Sequence, residues 1–367
     1  MSILSRPVFM TYDPDEVTQQ LVELYEQIVG KALYPAQPER LFVDVIAYRE
    51  CLIRQAIQEA AEQNLVAYAR DVALDHLAQN VGVTRLPAQP ASCTVRITLS
   101  AAAISDTTIP HGVLLKTNDG LFDFETSEDC TIAAGDTSGT CGAVCATAGP
   151  DANGYLAGSL SLGDPVDGVV SATNITATAD GSDTEEDDVF RARIPLALEA
   201  YSCAGPALAY RYWAMSAHNS ILDVSVVSPS AGVVQIYPLT REGAPSQHVM
   251  DLVAAAVSDD KRRPLTDQVQ VLPPQAVHFS IDASLILYGS TDRASVLAKI
   301  NQILAEYQKT IGLKMGRDIV PSQLSALIHI DGVYSVTLTT PELIQVDSQS
   351  YAVLDSWTIN VGGVIYE

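Results

Sequence analysis

A run of acidic residues followed by two arginines is the part of this sequence whose residue types could do chemistry. It reads DGSDTEEDDVFRARI, residues 180–194, and six of its first nine residues carry carboxylates. Such oxygen ligands suit calcium, but a helix-loop-helix calcium loop needs glycine at its sixth position and glutamate at its twelfth. Those positions hold Glu185 and Arg191. The spacing therefore argues against a metal site of this kind.

The same stretch is better explained as the start of a helix. Asp183 can act as the N-cap with Glu186 three residues later, and acids in a first turn interact favourably with the helix dipole. Asp187 and Arg191 are four residues apart, where opposite charges attract on a helix surface. Pro195 lacks a backbone N–H and restricts the residue before it, so we predict a break there.

No enzyme motif accompanies the acidic stretch. The sequence lacks the nucleophile elbow, the phosphate loop, the strand-linked dinucleotide-binding glycines and the zinc-protease histidines. Its six histidines are scattered singly, and no pair of carboxylates stands out as acid and base. We therefore predict no catalytic residue, metal or cofactor. The one basic cluster, DDKRRP, contains Arg262 and Arg263, and we interpret it as a salt-bridged turn within the protein or at an interface.

The composition is that of a globular protein with two or three domains. The chain has 367 residues, of which 47% are hydrophobic, and 44 acids against 21 bases give a net charge of −23. That charge repels nucleic acid phosphates and anionic membranes. Apolar runs are too short to span a bilayer, and the first residues do not resemble a signal peptide. We expect a soluble protein made in a cytoplasm that binds neither nucleic acid nor membrane.

The first 86 residues have the apolar spacing of helices. Asp13 and Pro14 begin one helix, and Gly30 ends it. From residue 39 to residue 81 there is neither glycine nor proline, and we predict two or three helices with breaks near Asn64 or Asp71. Five residues of this stretch form an apolar seam: Leu41, Val45, Leu52, Ala56 and Ala60. The seam could bind another chain or face its own domain, and the sequence leaves both open.

The remaining chain divides into a β domain and an α+β region. After the linker RLPAQPAS, short alternating runs and frequent turns predict a β domain over residues 92–176. Helical and strand patterns then alternate in two units, 180–260 and 261–367, and similar segments at 219–229 and 331–341 suggest related half-units. The six cysteines, including those of CGAVC, are expected to be small buried side chains. The predicted fold is a multidomain α+β protein with an N-terminal helical segment.

The order of these segments resembles the baseplate J-like family of contractile-tailed phages and phage-tail-like particles. The segment 47–85 is similar to the family's N-terminal helices, and IPHGVLLKTNDGLFDFETSEDCTIAAG is similar to its β domain. The acidic stretch resembles a family signature that is matched by Gly181, Asp183, Glu185, Asp187, Arg191 and Arg193. RRPLTDQVQVLPP and IGLKMGRDIVPSQLSALIHIDGVYSV are similar to its C-terminal half. Two turns depart from the family pattern, at Gly205-Pro206 and at Asn219-Ser220-Ile221.

The resemblance implies a structural baseplate wedge protein. Such proteins pair with a second copy and with a different wedge protein, and contact sheath-initiator and hub proteins. They assemble in the host cytoplasm into a ring that holds the sheath extended and triggers its contraction. The N-terminal helices would form an intersubunit bundle with Tyr48 and Arg54 as contacts, and the last unit, 261–367, would supply the dimer or ring contact.

Asp187 and four arginines would position domains or interfaces in such an assembly: Arg191, Arg193, Arg262 and Arg263. Replacing Arg191 by alanine would then impair folding or assembly without releasing a bound ion. The main rival hypothesis is an enzyme, a hydrolase of cell-surface polymers carried by a tail particle, and it requires a pair of carboxylates or histidines that converge in a cleft. A calcium-binding adhesin is a third possibility, but it would need repeated acidic loops and a secretion signal.

Overall fold

The computed structural model describes residues 5–201, 206–258, 264 and 266–366. The chain divides into two compact units, one ending at Thr84 and the other beginning at Arg85. Arg262 and Arg263 lie outside the described residues, as do Cys203 and Gly205. The architecture confirms the predicted α+β class, with helices first, a β domain in the centre and α+β elements after it.

The first unit consists of three helices: α1 (Pro14–Val29), α2 (Pro38–Glu62) and α3 (Asp71–Gln79). The Asp13 carboxylate accepts hydrogen bonds from the backbone N–H groups of Asp15 and Glu16, at 2.9 and 3.2 Å, as the predicted N-cap requires. Gly30 ends α1 with a φ of 71°, a conformation that costs glycine little. The predicted break is also confirmed, because α2 ends before Asn64 and α3 begins at Asp71.

The β domain contains eight strands: β1 (Pro90–Leu99), β2 (Thr107–Ile109), β3 (Leu114–Thr117), β4 (Asp123–Thr126), β5 (Cys130–Ile132), β6 (Ser138–Ala148), β7 (Leu160–Leu162) and β8 (Val169–Asn174). Six form one antiparallel sheet in the order β7-β3-β4-β6-β1-β8, and β2 pairs with β5. The outer strands β7 and β8 lie against each other, so the sheet curls towards a barrel.

The interior of the β domain holds most of the cysteines. Four are buried there without disulfide bonds, Cys93, Cys130, Cys141 and Cys145, as their expected role as small buried side chains requires. Burial raises the pKa of the Cys93 and Cys141 thiols to about 12, so they stay protonated and unreactive at neutral pH.

The acidic stretch leads into the first α+β unit, whose elements are α4 (Asp187–Arg193), a 3₁₀ helix (Pro195–Tyr201), α5 (Ala207–Met215), β9 (Ile221–Ser230), β10 (Val233–Thr240) and α6 (Gln247–Val257). We add β11 (Gln268–Val271) to this unit because it pairs with β10, although it falls in the range 261–367 predicted for the second unit. The α-helix ends before Pro195, as predicted. The predicted start at Asp183 is wrong, because α4 begins at Asp187. Ala179 and Ser182 instead form β-bridges with Ser92 and Gln89, and Asp180 between them has a φ of 71°, so this part of the stretch is not helical.

The last unit contains β12 (Gln275–Tyr288), α7 (Arg293–Ile311), α8 (Pro321–Ile328), β13 (Val333–Thr340) and β14 (Ser350–Ile365). Both α+β units have a three-stranded sheet whose central strand has one antiparallel and one parallel neighbour: β9-β10-β11 and β13-β12-β14. The similar segments at 219–229 and 331–341 fall on β9 and β13, which are the antiparallel edge strands of their sheets. The order of connection differs, however, because β10 follows β9 whereas β12 precedes β13.

Candidate assembly interface

The first unit exposes a broad apolar surface on α2. Its buried residues, Val43, Ala47, Gln58 and Glu62, occupy one side of the helix. Eight large hydrophobic side chains are exposed on the opposite half: Leu41, Phe42, Val45, Ile46, Tyr48, Leu52, Ile53 and Ile57. Phe42 is 71% exposed and Leu41 66%. At 100° per residue these eight positions cover about 180° of the helix circumference. We call this half the α2 apolar face.

The seam predicted from the sequence lies on the α2 apolar face. Leu41, Val45, Leu52, Ala56 and Ala60 are all exposed, so the alternative in which the seam faces its own domain is wrong within the described residues. Soluble monomers seldom expose so many large apolar side chains side by side, and a patch of this kind marks an interaction site. A helix with an exposed apolar face of this width is suited to packing against another helix.

An extended segment near the amino end is bound to the other side of α2. Arg6 donates to both carboxylate oxygens of Glu62, at 2.6 and 2.9 Å. The Gln58 side chain accepts from the backbone N–H groups of Phe9 and Met10 and donates to the Pro7 carbonyl and to Glu62. Hydrogen bonds from Arg6 and Gln58 lower the pKa of Glu62 to about 2. This network ties the segment to the polar side of α2 and leaves the α2 apolar face open.

The two residues predicted as bundle contacts, Tyr48 and Arg54, lie in different surroundings. Tyr48 is exposed and lines an open groove of about 720 Å³ between α1, α2 and the N-terminal segment, together with Cys51 and Leu52. Arg54 donates to Glu50 at 2.9 Å and to Gln20 of α1 at 3.2 Å. Tyr48 is therefore available to a partner, whereas in the isolated chain Arg54 makes bonds within the helical unit.

In the second unit the acidic stretch forms the base of the β domain. The chain enters and leaves this domain side by side, with β-bridges between Gln89 and Ser182 and between Ser92 and Ala179. A Cβ on Gly181 would lie 2.3 Å from the carbonyl oxygen of Gly149, so only glycine fits there.

A cluster of five residues locks this base to α4. Glu185 forms a bidentate ion pair with Arg193, at 2.9 and 2.6 Å, and the exposed fractions of the two side chains are only 1% and 3%. Arg85 donates to the Glu185 carbonyl oxygen at 2.6 Å and to the Asp187 carboxylate at 2.7 Å. Phe190 lies beneath both guanidinium groups, 4.8 Å from Arg85 and 5.3 Å from Arg193. We call these five residues the junction cluster.

Further polar contacts join the same three parts of the chain. The Glu185 carboxylate also accepts from the Leu86 N–H at 2.9 Å. Asn219 donates to the carbonyl oxygens of Pro87 and Asp183, at 2.8 and 2.6 Å, and accepts from the Ser182 hydroxyl. Asn219, in the turn before β9, therefore joins that turn to the linker and to the acidic stretch.

The sequence identified only part of the junction cluster. Arg193 and Asp187 were predicted as domain-positioning residues, and the structure brings both into it. Arg191 instead pairs with Asp188 towards the surface, where the Asp188 side chain is 94% exposed. Sequence patterns missed Arg85 and Phe190, since Arg85 lies about a hundred residues away and Phe190 resembled a simple apolar anchor. The arginine that opens the proline-rich linker was the one available signal.

Five of the six carboxylates of the acidic stretch are bound by protein donors, those of Asp180, Glu185, Glu186, Asp187 and Asp188. Asp180 accepts from the hydroxyls of Ser92 and Ser246, at 3.1 and 2.8 Å, and Glu186 pairs with Arg241 at 2.9 Å. They border an open groove of about 490 Å³. Over the described ranges, no three histidine, cysteine or acidic side chains are placed to hold a metal ion. Likewise, none of the helices described combines the length and apolar character needed to cross a bilayer. The arrangement positions domains and offers no evident acid and base pair.

Comparisons with known proteins match the chain from its second helix to its last strand. The family models matched are the baseplate J-like N-terminal domain at residues 38–92, the barrel domain at 94–181, the central domain at 202–273 and the C-terminal domain at 279–361. A curated relative, baseplate protein J of Escherichia phage P2, is 36% identical over 159 residues. That match covers 43% of this chain and about half, 52%, of the relative.

One solved structure that the comparison matches to this chain is the six-fold symmetrised baseplate of the anti-feeding prophage. One of its chains aligns with 93% of this chain, over 90% of its own length, at 14% identity and a TM-score of 0.38.

Proposed function

Since this chain belongs to the baseplate J-like family, we propose that it is a structural component of the baseplate of a contractile phage tail or a related injection particle. The four family domains follow one another in order along the chain, which supports a role for the whole molecule. The name of the phage P2 relative points the same way.

In finer terms, the protein acts as a wedge. It pairs with a second copy and a different wedge protein, and the wedges close a ring that contacts hub and sheath-initiator proteins. The ring holds the sheath in its extended state and releases it by rearranging. The protein assembles in the host cytoplasm and remains in the tail baseplate. This role is mechanical and not enzymatic, because it needs interfaces with two arrangements of similar free energy and no reacting group.

The α2 apolar face is the observation that carries the proposal. A helix that buries one side in its own unit and exposes large apolar side chains over the other half requires a partner helix. At about 25 cal/mol per Å² of apolar surface, covering such a face supplies much of the free energy of a stable bundle. Tyr48 and its groove would be buried in the same contact.

The test is native mass spectrometry of the chain co-expressed with the products of the adjacent genes. We expect a defined complex with two copies of this chain and one of another protein. Val45→Lys puts a charge in the middle of the α2 apolar face and should remove the partner from the complex, because a buried unpaired ammonium is costly.

Gln19→Lys on α1 is the matched control. Gln19 is exposed and hydrogen-bonds Glu23 one turn later, so a lysine there keeps an attractive partner and should leave the complex unchanged. A wild-type chain that stays monomeric and ignores every neighbour would contradict the baseplate role. Equal binding by Val45→Lys and wild type would show that assembly does not use the α2 apolar face.

A further inference from the structure

Strand β14 is a long edge strand whose outer side is largely open. It pairs along its length with β12, and no strand among the described residues pairs with its other side. The first part of that outer side is covered, since Met315 bridges Tyr351 and the Gln308 amide donates to the Leu354 carbonyl at 2.7 Å. From Ser356 onwards, the backbone groups of the outer side are available to an added strand.

The open part of β14 lacks the features that usually protect an edge. Natural edge strands carry lysines, other charges or prolines that prevent pairing with another chain. Residues 356–366, SWTINVGGVIY, contain no charged residue and no proline, although the chain as a whole carries a net charge of −23. Bulges near residues 355 and 362 leave a regular run, Ser356–Val361, between them.

This absence of charge indicates the kind of partner. A basic partner would be recruited by an acidic edge, whereas a neutral edge on an acidic protein lets a second acidic chain approach without repulsion. A second copy meets that condition, and antiparallel pairing of identical strands about a two-fold axis closes with no unpaired end.

Exposed apolar side chains lie around the end of the same edge. Val364 and Tyr366 of the C-terminal segment are exposed, as is Tyr288 of β12, which pairs with Ile365. Tyr334 of β13, on the far side of β12, is also exposed and its ring lies 5.5 Å from that of Tyr288. A second copy that pairs with β14 would cover part of this group. The surface therefore offers both backbone hydrogen bonds and apolar area to a partner.

We propose that β14 pairs with β14 of a second copy, antiparallel and through Ser356–Val361, so that two three-stranded sheets become one sheet of six strands. The β14 proposal rests on the proposed function, because it names the surface through which the second copy of the baseplate protein binds.

The experiment measures the dimer of the full chain by analytical ultracentrifugation in wild type, Asn360→Lys and Thr337→Lys. Asn360 of β14 and Thr337 of β13 are both exposed and lie opposite Ser284 from its two sides. Each substitution changes the net charge from −23 to −22, so the general repulsion between copies falls equally. Only Asn360→Lys places a charge on the β14 edge, and we expect it to raise the dimer dissociation constant at least about tenfold while Thr337→Lys leaves it unchanged.

Hydrogen exchange of the wild-type chain gives a second measurement that does not depend on any variant folding. The backbone amides of Ser356–Val361 should become protected as the protein concentration rises through the dissociation constant. Amides of this run that exchange freely in the dimer would overturn the proposal.

The outcomes separate this inference from the proposed function. A dimer that survives Asn360→Lys overturns pairing through β14 but leaves a second copy bound elsewhere. A wild-type chain that is monomeric alone and in complexes, yet still binds the neighbouring gene products, overturns pairing through β14 and leaves the baseplate role intact. A chain that dimerises through β14 and binds no neighbour supports the edge and contradicts the baseplate role.

Discussion

Glu185 is the residue on which three separate parts of the chain converge. Its carboxylate binds Arg193 of α4 and the Leu86 N–H of the linker, and its carbonyl oxygen binds Arg85. With an exposed fraction of 1%, Glu185 has no water to replace a missing partner. The ion pair is therefore costly to break from one side, whatever its net contribution to stability.

Replacing Arg193 by methionine should destabilise the second unit strongly. The substitution keeps side-chain length but leaves the buried Glu185 carboxylate without its bidentate partner, at a cost of about 3–5 kcal/mol. The measurement is urea unfolding of the full chain followed by tryptophan fluorescence, since Trp213 and Trp357 both lie in this unit. The separate expectation that Arg191→Ala impairs folding or assembly stays a prediction.

Arg241→Met is the control for that experiment. Arg241 and Glu186 form an ion pair of similar length, 2.9 Å, but their side chains are 62% and 65% exposed. Exposed pairs contribute about 0–1 kcal/mol, so the loss should be small. Equal destabilisation by the two substitutions would mean that burial of the Glu185–Arg193 pair does not matter.

Glu62 gives the helical unit a dependence on acid pH. Hydrogen bonds from Arg6 and Gln58 lower its pKa from 4.5 to about 2. Because the folded state holds this carboxylate ionised, its stabilising effect is complete above pH 4.5 and is lost as the pH falls towards 2. The stability difference between wild type and Glu62→Gln should therefore shrink over that interval, as measured by hydrogen exchange of α2 amides. A difference that stays constant down to pH 2 would exclude the mechanism.

At the scale of elements, local rules predicted what local interactions determine. The cap at Asp13, the glycine stop at Gly30 and the helix break before Pro195 depend on residues within one turn, and the structure has all three. Asp183 is not an N-cap because no helix follows it directly: Ser182 bridges Gln89, Glu185 is bound to Leu86 and Arg193, and α4 begins only at Asp187. Strand β14 was not predicted, although Trp357, Ile359 and Val361 alternate with polar residues. Its parallel partner β12 lies some seventy residues earlier in the chain, so a local pattern does not indicate the pairing.

The candidate site was predictable to the same extent. The seam on α2 followed from helical periodicity, since residues four apart share a face. The junction cluster did not, because Arg85 and Glu185 meet only after the β domain between them has folded. Charge density drew attention to the acidic stretch, but the partners that explain it come from the linker and from Asn219.

A substitution at Gly181 tests how closely the two ends of the β domain must approach each other. Alanine at this position would place its Cβ 2.3 Å from the Gly149 carbonyl oxygen and 3.0 Å from the Ala91 nitrogen, both backbone atoms. We expect Gly181→Ala to destabilise the second unit by about 1–3 kcal/mol, as overpacking does, in the same urea assay. Gly363→Ala has open space around it and no positive φ, and it should be tolerated. A fully stable Gly181→Ala protein would show that the contact can relax.

At the scale of the whole molecule, charge and apolar surface are unevenly distributed. The chain carries a net charge of −23, yet the α2 apolar face has no acid between Leu41 and Ile57, where it carries Arg49, and residues 356–366 carry no charge. The two surfaces without acids lie in different units. An acidic protein with two such surfaces can stay dispersed at low concentration and still associate through defined contacts.

The second unit is also joined internally beyond the junction cluster. Asp223 of β9 accepts from Arg211 of α5 at 2.6 Å and from the Met315 N–H at 3.0 Å, which ties the first α+β unit to the last. Asn219, just before β9, contacts Pro87 and Asp183, and Asp223, the third residue of β9, contacts Met315. The start of β9 is therefore bonded both to the linker and acidic stretch and to the last unit.

The adjacent ends of the β domain have a consequence for how such chains diversify. Because the chain leaves the domain beside the point where it entered, everything between Ser92 and Ala179 amounts to a cassette inserted at one place. A cassette of this kind can be exchanged, enlarged or deleted while the flanking parts keep their positions. The junction cluster lies outside it, in the linker, the acidic stretch and α4. Recombination at this point would place a different β domain on an unchanged frame.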